Sequence, residues 1–498
     1  MIRSLARTPS ERFTVLLTAL FAASIVRLWL MPLSSSLWVD ELVTTFVLRF
    51  PHHYSFAVAP QVPDSLYYWL PQLSWTLFGH SETALRLPSI LAMGIALALV
   101  ARIAIRTIHP RAGWLTVFLC LALSGIDYFA DDARPYAFGI AVASASILFL
   151  IRWLDNGRWL DEAVFLACAA VLWRIHLLYW PFYLVYVLYA AARLRKRDTL
   201  ATAAQILIAA IVVPAALFPV AQTALGRLAG AQSHVFNPPP HVLEFVYKAH
   251  FNVVLICLGV AWLLHRFAKG RPSTTLSGAS WTLVVSWWLA CPVCLFFYSH
   301  YSGNGVFIPR YLSLMLPGIA LTATAVASRF LRNDAWGPSA IAVGIVGLFL
   351  MGQWLTPRPW HDTDDWRAAA AAERVLADDR TPVLCASPFI EAQSPVWTPN
   401  YPLPGFLYSH LTYYPVRGKV KLFPFTQSAE SNGYARQLLT SELVPAAKFI
   451  VYGPRGGSNY LVKYLTSLPE LAAWHTRTQS FGNVTVTAFE AGRSGFKT

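Results

Sequence analysis

Apolar residues in this chain gather into runs of membrane-spanning length instead of alternating over short strands. Such runs fall near 13–33, 85–106, 113–128, 136–153, 160–174, 177–192, 201–221, 250–265, 280–298, 309–328 and 338–355. A hydrocarbon core about 30 Å thick needs roughly 20 apolar residues in helical form. The pattern therefore predicts about 11 transmembrane helices, several short enough to require tilt or local thinning. The two runs flanking Arg174-Ile-His176 fit either two helices or one broken helix with a re-entrant piece. The first run follows Arg3, Arg7 and Arg12 and shows no convincing small-residue cleavage site, so it reads as a retained helix and not a removed signal.

The pattern changes at Pro357-Arg-Pro359. Asp362 to Asp379 predicts an amphipathic, Ala-rich helix with acids in its first turn. Pro382 to Ala386, Lys448 to Tyr452 and Asn483 to Phe489 predict strands, with helices near 430–441 and 458–467. The expected fold class is a polytopic α-helical membrane protein with a C-terminal soluble α/β domain. Residues 1–355 form the membrane domain, including a first external loop at 34–84, and residues 356–498 form the tail. Gly453-Pro-Arg-Gly-Gly457 lacks the Lys-Ser/Thr of a nucleotide phosphate loop and reads as a plain turn.

Composition changes the picture in one respect. A length of 498 residues would suggest about three soluble domains. With 56% hydrophobic and only 13% charged residues, the chain instead belongs in a bilayer, because soluble proteins average about 25% charged. The net charge of +14 then calls for no nucleic acid, since cytoplasmic loops collect Lys and Arg. With the N-terminus inside, the inner segments hold seventeen basic residues: Arg3, Arg7, Arg12; Arg102, Arg106, Arg111; Arg152, Arg158; Arg193, Arg195, Lys196, Arg197; Arg266, Lys269, Arg271; Arg329, Arg332. The outer segments before the tail hold seven: Arg49, Arg86, Arg134, Arg174, Arg227, Lys248 and Arg310. This predicts a multi-pass plasma (inner) membrane protein with a cytoplasmic N-terminus and an extracytoplasmic tail. Five of the six cysteines lie in apolar runs and Cys385 stands alone in the tail, so no disulfide framework is expected; Cys291-Pro-Val-Cys294 reads as helix packing.

On that topology the reactive side chains gather outside. Asp40-Glu41 follows the first span, and the loop behind it packs seven aromatics and four prolines between Pro51 and Phe78, as an interfacial structure would. Arg86 precedes the second span, and Asp131-Asp132-Ala-Arg134-Pro-Tyr136 joins the third and fourth. His176 lies between the fifth and sixth spans, and Arg310-Tyr311 at the top of the tenth. Taken singly each has a bland reading: an arginine reaching lipid phosphates, an ordinary ion pair, a hydrogen-bonded histidine. Together they are what sugar transfer from a lipid phosphate requires. A carboxylate takes the acceptor hydroxyl proton, arginines hold the departing phosphate through their forked donors, and aromatic walls suit both a polyprenyl chain and sugar faces. No metal site is predicted and no cofactor is certain. A divalent metal stays open, because Asp131, Asp132 and His176 offer ligand types without a fixed spacing that argues for a site.

These residues resemble glycosyltransferase family 39, the dolichyl-phosphate-mannose protein mannosyltransferases and aminoarabinose transferases of bacteria. The matching pieces are Trp38-Val-Asp40-Glu41, Leu66-Tyr-Tyr68, Phe78-Gly-His-Ser-Glu82, Leu85-Arg-Leu-Pro-Ser89, Ala133-Arg-Pro-Tyr-Ala137, His176-Leu-Leu-Tyr179 and Pro309-Arg-Tyr-Leu312, with Asp364-Asp-Trp-Arg367 opening the tail. The order and spacing carry the resemblance, over about residues 15–355. It implies an inverting transferase of the GT-C fold, with interfacial helices in the first external loop. The resemblance places the first acid of the family's pair, the base in relatives, on Asp40, with Glu41 beside it. Arg86, Asp132, Arg134, Tyr136, Arg310 and Tyr311 fall on family positions, and His176 joins them as a substrate-binding candidate. The implied partners are a polyprenyl-phosphate sugar donor, an extracytoplasmic glycan, lipid or protein acceptor, and membrane lipids. Many bacterial relatives read His-Pro-Pro where this chain has Pro63-Asp64-Ser65. Two other readings compete: a ligase moving a whole glycan from a lipid diphosphate, and a lipid or polysaccharide transporter. A transporter would place ionisable groups near mid-bilayer and often show paired repeats, neither of which appears.

Overall fold

The computed structural model describes residues 9–50, 66–228, 239–267 and 276–492. The departure at Pro63-Asp64-Ser65 lies outside them. The chain divides into two compact units, Met1–Leu33 with Pro63–Pro359 and Ser34–Val62 with Trp360–Thr498.

The first unit is helical, and every apolar run of the sequence corresponds to helix. Among the described residues seven helices are long and apolar enough to cross a membrane, or up to nine if two bent pairs each count as one span. The chain is an integral membrane protein, but length and composition do not bear out a count of 11. The third expected span is a pair, Ala112–Leu121 and Ser124–Ala130, bent by 78°. The eighth is bent by 59° after Val242–Lys248. Helix Trp159–Ile175 has 17 residues, with Asp161 and Glu162 in its first turn, and Trp336–Met351 has 16. At 1.5 Å per residue both fall short of a full hydrocarbon core. At Arg174-Ile-His176 the chain forms two helices: Trp159–Ile175 stops where His176 turns extended, and a 3-10 turn, Leu177–Phe182, leads into Tyr183–Arg195.

Packing within this unit depends on close approach at small residues. A Cβ on Gly318 would lie 2.5 Å from the Trp288 backbone nitrogen, so helices Gly278–Ser302 and Leu316–Ser328 touch backbone to backbone. Trp287 Nε1 donates to the Leu314 carbonyl at 2.8 Å across the same seam. Arg27 is buried and ties the first span to the chain following the last helix. Its guanidinium donates to the carbonyls of Gly352 (2.8 Å), Gln353 (3.0 Å), Thr356 (2.9 Å) and Pro357 (3.0 Å). All four carbonyls lie in the segment just after helix Trp336–Met351.

The second unit is an α/β domain around a five-stranded sheet, β1 (Pro382–Ala386), β2 (Lys419–Phe423), β3 (Lys448–Pro454), β4 (Trp474–Phe481) and β5 (Val484–Ala491), in the order β2-β1-β3-β5-β4. β1 pairs in parallel with β2 and β3, whereas β5 runs antiparallel to both β3 and β4. The three expected strands are β1, β3 and β5, and the expected helices appear as Trp366–Leu376, Ala429–Leu438 and Arg455–Thr466. The two strands not foreseen, β2 and β4, are the sheet edges. Edge strands carry charge and polarity that blunt them against aggregation, and both Lys-Val-Lys in β2 and His-Thr-Arg-Thr-Gln in β4 hide the strand signal.

Helix Val39–Arg49 packs against this domain, although the division at 355/356 would put it in the first. Phe46 stands edge-on to Phe406 at 6.2 Å, Leu37 N–H donates to the Tyr414 hydroxyl at 3.0 Å, and Arg49 donates to the Thr412 carbonyl at 3.0 Å. The Ser34 carbonyl accepts from Arg367 at 3.0 Å, and Ser35 Oγ accepts from the His361 N–H at 3.2 Å.

Candidate functional site

Within the first unit the outer candidates converge on His176. This residue ends helix Trp159–Ile175, and its Nδ1 accepts the Leu178 N–H at 3.2 Å, which fixes the ring against the start of the 3-10 turn. Around it stand Tyr136 at 5.9 Å, Tyr179 at 5.1 Å and Tyr311 at 5.2 Å between ring centroids. Tyr136 opens helix Tyr136–Asn156 and Tyr311 lies in the 3-10 turn Pro309–Met315, so three separate elements supply the walls. Tyr179 reaches its place because residue 139 is glycine: a Cβ there would sit 2.4 Å from the Tyr179 ring. The Tyr179 hydroxyl also shares a 3.2 Å hydrogen bond with Ser313 Oγ.

Arg134 and Arg310 lie close enough to act electrostatically on the His176 ring, and the Arg310 guanidinium stands 5.4 Å over Tyr311. Both arginines are half-buried, whereas Asp131, Asp132 and Tyr136 are buried. Two cations at an aromatic cluster, with an acid pair at the start of the same loop, are the residue types that can meet an anion with fixed donors. Arg86 is fully buried, and one arm donates to the Leu33 carbonyl at 3.0 Å, where the first span ends. Asp131, Asp132 and His176 do not converge as a set of metal ligands in mutual reach.

Asp40 and Glu41 belong to the second unit and differ from each other there. Glu41 is buried, and its carboxylate accepts the Trp38 N–H at 3.2 Å, reaching back from the third helical position to the residue before the helix. That is how an N3 glutamate caps a helix. Asp40 is half-exposed on the first turn of the same helix.

Sequence reasoning did not pick out Tyr179 or Ser313 as neighbours of His176. Tyr179 stood in a quoted motif, and only the glycine 40 positions earlier could have hinted at its direction. It also missed Trp29, whose Nε1 donates to Asp127 at 3.0 Å. Gly453–Gly457 is not a turn but the junction at which β3, ending at Pro454, passes directly into helix Arg455–Thr466. Cβ atoms on Gly453 and Gly457 would come within 2.8 Å and 3.0 Å of Ala386, and the Ser458 hydroxyl is taken up by the carbonyls of Gly453 and Pro454.

Over almost its whole length the chain superimposes on a solved membrane enzyme. Crystal structures of ArnT from Cupriavidus metallidurans match with TM-scores of 0.55 in the apo state and 0.53 bound to undecaprenyl phosphate, at 13% and 11% identity. The matches cover 96% and 95% of this chain and 98% of that one. The family model for dolichyl-phosphate-mannose-protein mannosyltransferase matches residues 62–218. The chain has the ArnT-like GT-C fold. At such low identity the ArnT likeness carries the fold alone. The family model covers the stretch of this GT-C chain that holds Arg86, Asp132, Arg134, Tyr136 and His176. No curated protein matches the sequence.

Proposed function

We propose that this protein is a membrane glycosyltransferase that moves a sugar from a polyprenyl-phosphate donor to an extracytoplasmic acceptor with inversion at the anomeric carbon. The observation that carries the reading is the cluster of Tyr136, Tyr179 and Tyr311 around His176, with the Arg310 guanidinium over Tyr311 and Arg134 two residues before Tyr136. Support comes from a fold shared with ArnT, whose structure holds undecaprenyl phosphate, and from a family model named for a lipid-phosphate-sugar donor. The seventeen-to-seven bias of basic residues supports an inner-membrane protein with its N-terminus cytoplasmic and its tail outside.

In this reading the acceptor oxygen attacks the anomeric carbon as the bond to the phosphate oxygen breaks. Polyprenyl phosphate leaves with the electron pair, and Asp40 takes the hydroxyl proton. Arg134 and Arg310 hold the phosphate as its charge grows, and Arg86 is a third candidate. Asp132, Tyr136, His176 and Tyr311 shape the donor pocket, while Glu41 fixes the helix that presents Asp40. A sugar hydroxyl barely ionises near neutral pH, so a positioned carboxylate contributes roughly 10²- to 10⁴-fold. The test is transfer from radiolabelled polyprenyl-phosphate sugars in membranes, with donor binding measured in parallel. Asp40→Asn is expected to bind donor and lose transfer. Wild-type turnover in that variant would move the base elsewhere. Failure of the wild-type protein to consume any lipid-linked sugar offered would overturn the transferase reading itself.

A further inference from the structure

Beside helix Tyr183–Arg195, away from the His176 cluster, lies a cavity of about 710 Å³. One wall is that helix, through Tyr186 and Leu194, another is helix Ala203–Leu228, through Ile206, Val213 and Phe218, and helices Tyr136–Asn156 and Trp159–Ile175 complete it. On the opposite flank of the same helix a second groove of about 360 Å³ runs between Leu184, Leu188, Val285 and Leu289. Both are walled almost wholly by apolar side chains, and Leu207, Ile208, Ile211 and Phe218 on the outer helix are exposed. The grooves therefore open into hydrocarbon, and what fills them is chain and not water.

The helix between them ends in Arg193-Leu-Arg195-Lys196-Arg197. Arg193 is buried and saturated: it donates to Asp155 at 2.8 Å and to the Tyr189 hydroxyl at 2.8 Å, and stands 3.2 Å from Asp198. Arg195, Lys196 and Arg197 are exposed and enter no ion pair among the described residues. They stand at the mouth of the larger groove. Leu194 lines it and Arg195 follows, and the Leu200 N–H closes the turn onto the carbonyl of Leu154, another lining residue, at 2.8 Å. The same rim carries Trp159, 74% exposed, next to Arg158. The Gly157 carbonyl there accepts from Gln205 at 3.0 Å, at the start of the outer helix. An exposed tryptophan among cations marks the headgroup level of a bilayer.

We propose that an anionic glycerophospholipid straddles helix Tyr183–Arg195, with one acyl chain in each groove and its phosphate on Arg195, Lys196 and Arg197. Basic pockets between spanning helices recognise such headgroups. Two grooves flanking one helix fit a two-chain lipid, whereas a single isoprenoid chain would fill only one. The site is independent of the transferase reading.

The test is native mass spectrometry of the full chain released from nanodiscs containing phosphatidylglycerol, phosphatidylethanolamine and polyprenyl phosphate. The wild type is expected to retain phosphatidylglycerol over phosphatidylethanolamine. The triple change Arg195→Gln, Lys196→Gln, Arg197→Gln should erase that preference. At roughly fivefold per cation the loss is on the order of a hundredfold. Ala190→Phe, which narrows the larger groove, should lower retention of both phospholipids. Lys196→Arg keeps the charge and should behave as wild type, which separates loss of the site from loss of fold. Equal retention of the two phospholipids by the wild type would overturn the proposal. So would a preference that survives the triple change, or one-for-one displacement of phosphatidylglycerol by polyprenyl phosphate.

Discussion

His410→Phe should make the tail domain gain stability relative to wild type as the pH falls. His410 is fully buried, 4.7 Å from the Trp366 ring and near-parallel to Tyr452 at 6.2 Å, and neither ring nitrogen has a hydrogen-bond partner. Burial alone lowers its pKa from 6.5 to about 3. Between those values the unfolded chain binds a proton that the folded domain refuses, so stability falls as pH falls, by up to about 1.4 kcal/mol per pH unit. Down to about pH 5 the loss is roughly 2 kcal/mol. Nearby, burial of Glu373 raises its pKa from 4.5 to about 7, only partly offset by its 2.8 Å bond from the Arg417 N–H. Burial of Asp364 likewise raises its pKa from 3.8 to about 6. In both acids the folded state holds the proton more tightly, so each stabilises as pH falls from its folded value towards its unfolded one. Wild type sets these opposing slopes against each other. Phenylalanine keeps the ring packing and deletes the histidine slope, so the variant should gain roughly 2 kcal/mol over wild type between about pH 7.5 and about pH 5. Urea-dependent hydrogen exchange at β1 and β3 amides of the detergent-solubilised protein reads this directly. A variant-to-wild-type difference that is the same at both pH values would mean that His410 titrates normally inside the fold.

Arg134→Lys and Arg310→Lys keep the charge but lose the forked donors, and each should cut transfer substantially while insertion and protein level stay unchanged; normal turnover in both would reduce these arginines to headgroup anchors. Glu41→Gln should lower thermal stability by about 1 kcal/mol, as a weakened helix cap, with a smaller loss of transfer than Asp40→Asn. Phosphatase fusions at Ser458 should be active and fusions at Lys196 inactive, and the reverse pattern would invert the placement of the site. Arg27→Met strips the donors from four carbonyls between Gly352 and Pro357, and should cost roughly 3 kcal/mol in a detergent melt.

Much of the architecture could be read along the chain because hydrocarbon imposes a simple rule: apolar length makes a span. That rule found the long apolar helices, yet it could not see the bend at Ala122-Leu123, because apolar composition continues through it, or the helix Val242–Lys248 ahead of the eighth run, which carries Glu244 and Lys248. The buried strands β1, β3 and β5 announced themselves as apolar runs, while the edges β2 and β4 did not, since their outward positions are Lys, Arg and Thr. Tyr136, His176 and Tyr311 could be suspected singly from position. Their meeting depends on Gly139 leaving room for Tyr179, a contact that no spacing along the chain encodes.

The acid pair shows the limit most clearly. As letters, Asp40 and Glu41 are equivalent carboxylates following a span, and either fits a base. The fold separates them through helix geometry, because adjacent helical residues point about 100° apart. Glu41 turns inward and is committed to the Trp38 N–H, and a carboxylate holding a helix start cannot move to follow a substrate hydroxyl. Asp40 keeps a half-exposed side chain on a helix whose own position is fixed at both ends, by Leu37 on Tyr414 and by Arg49 on Thr412. A base needs to be both open to the acceptor and held in place. Within this pair the proposed base is Asp40, which stays partly exposed while its neighbour and the tail domain hold the helix that carries it.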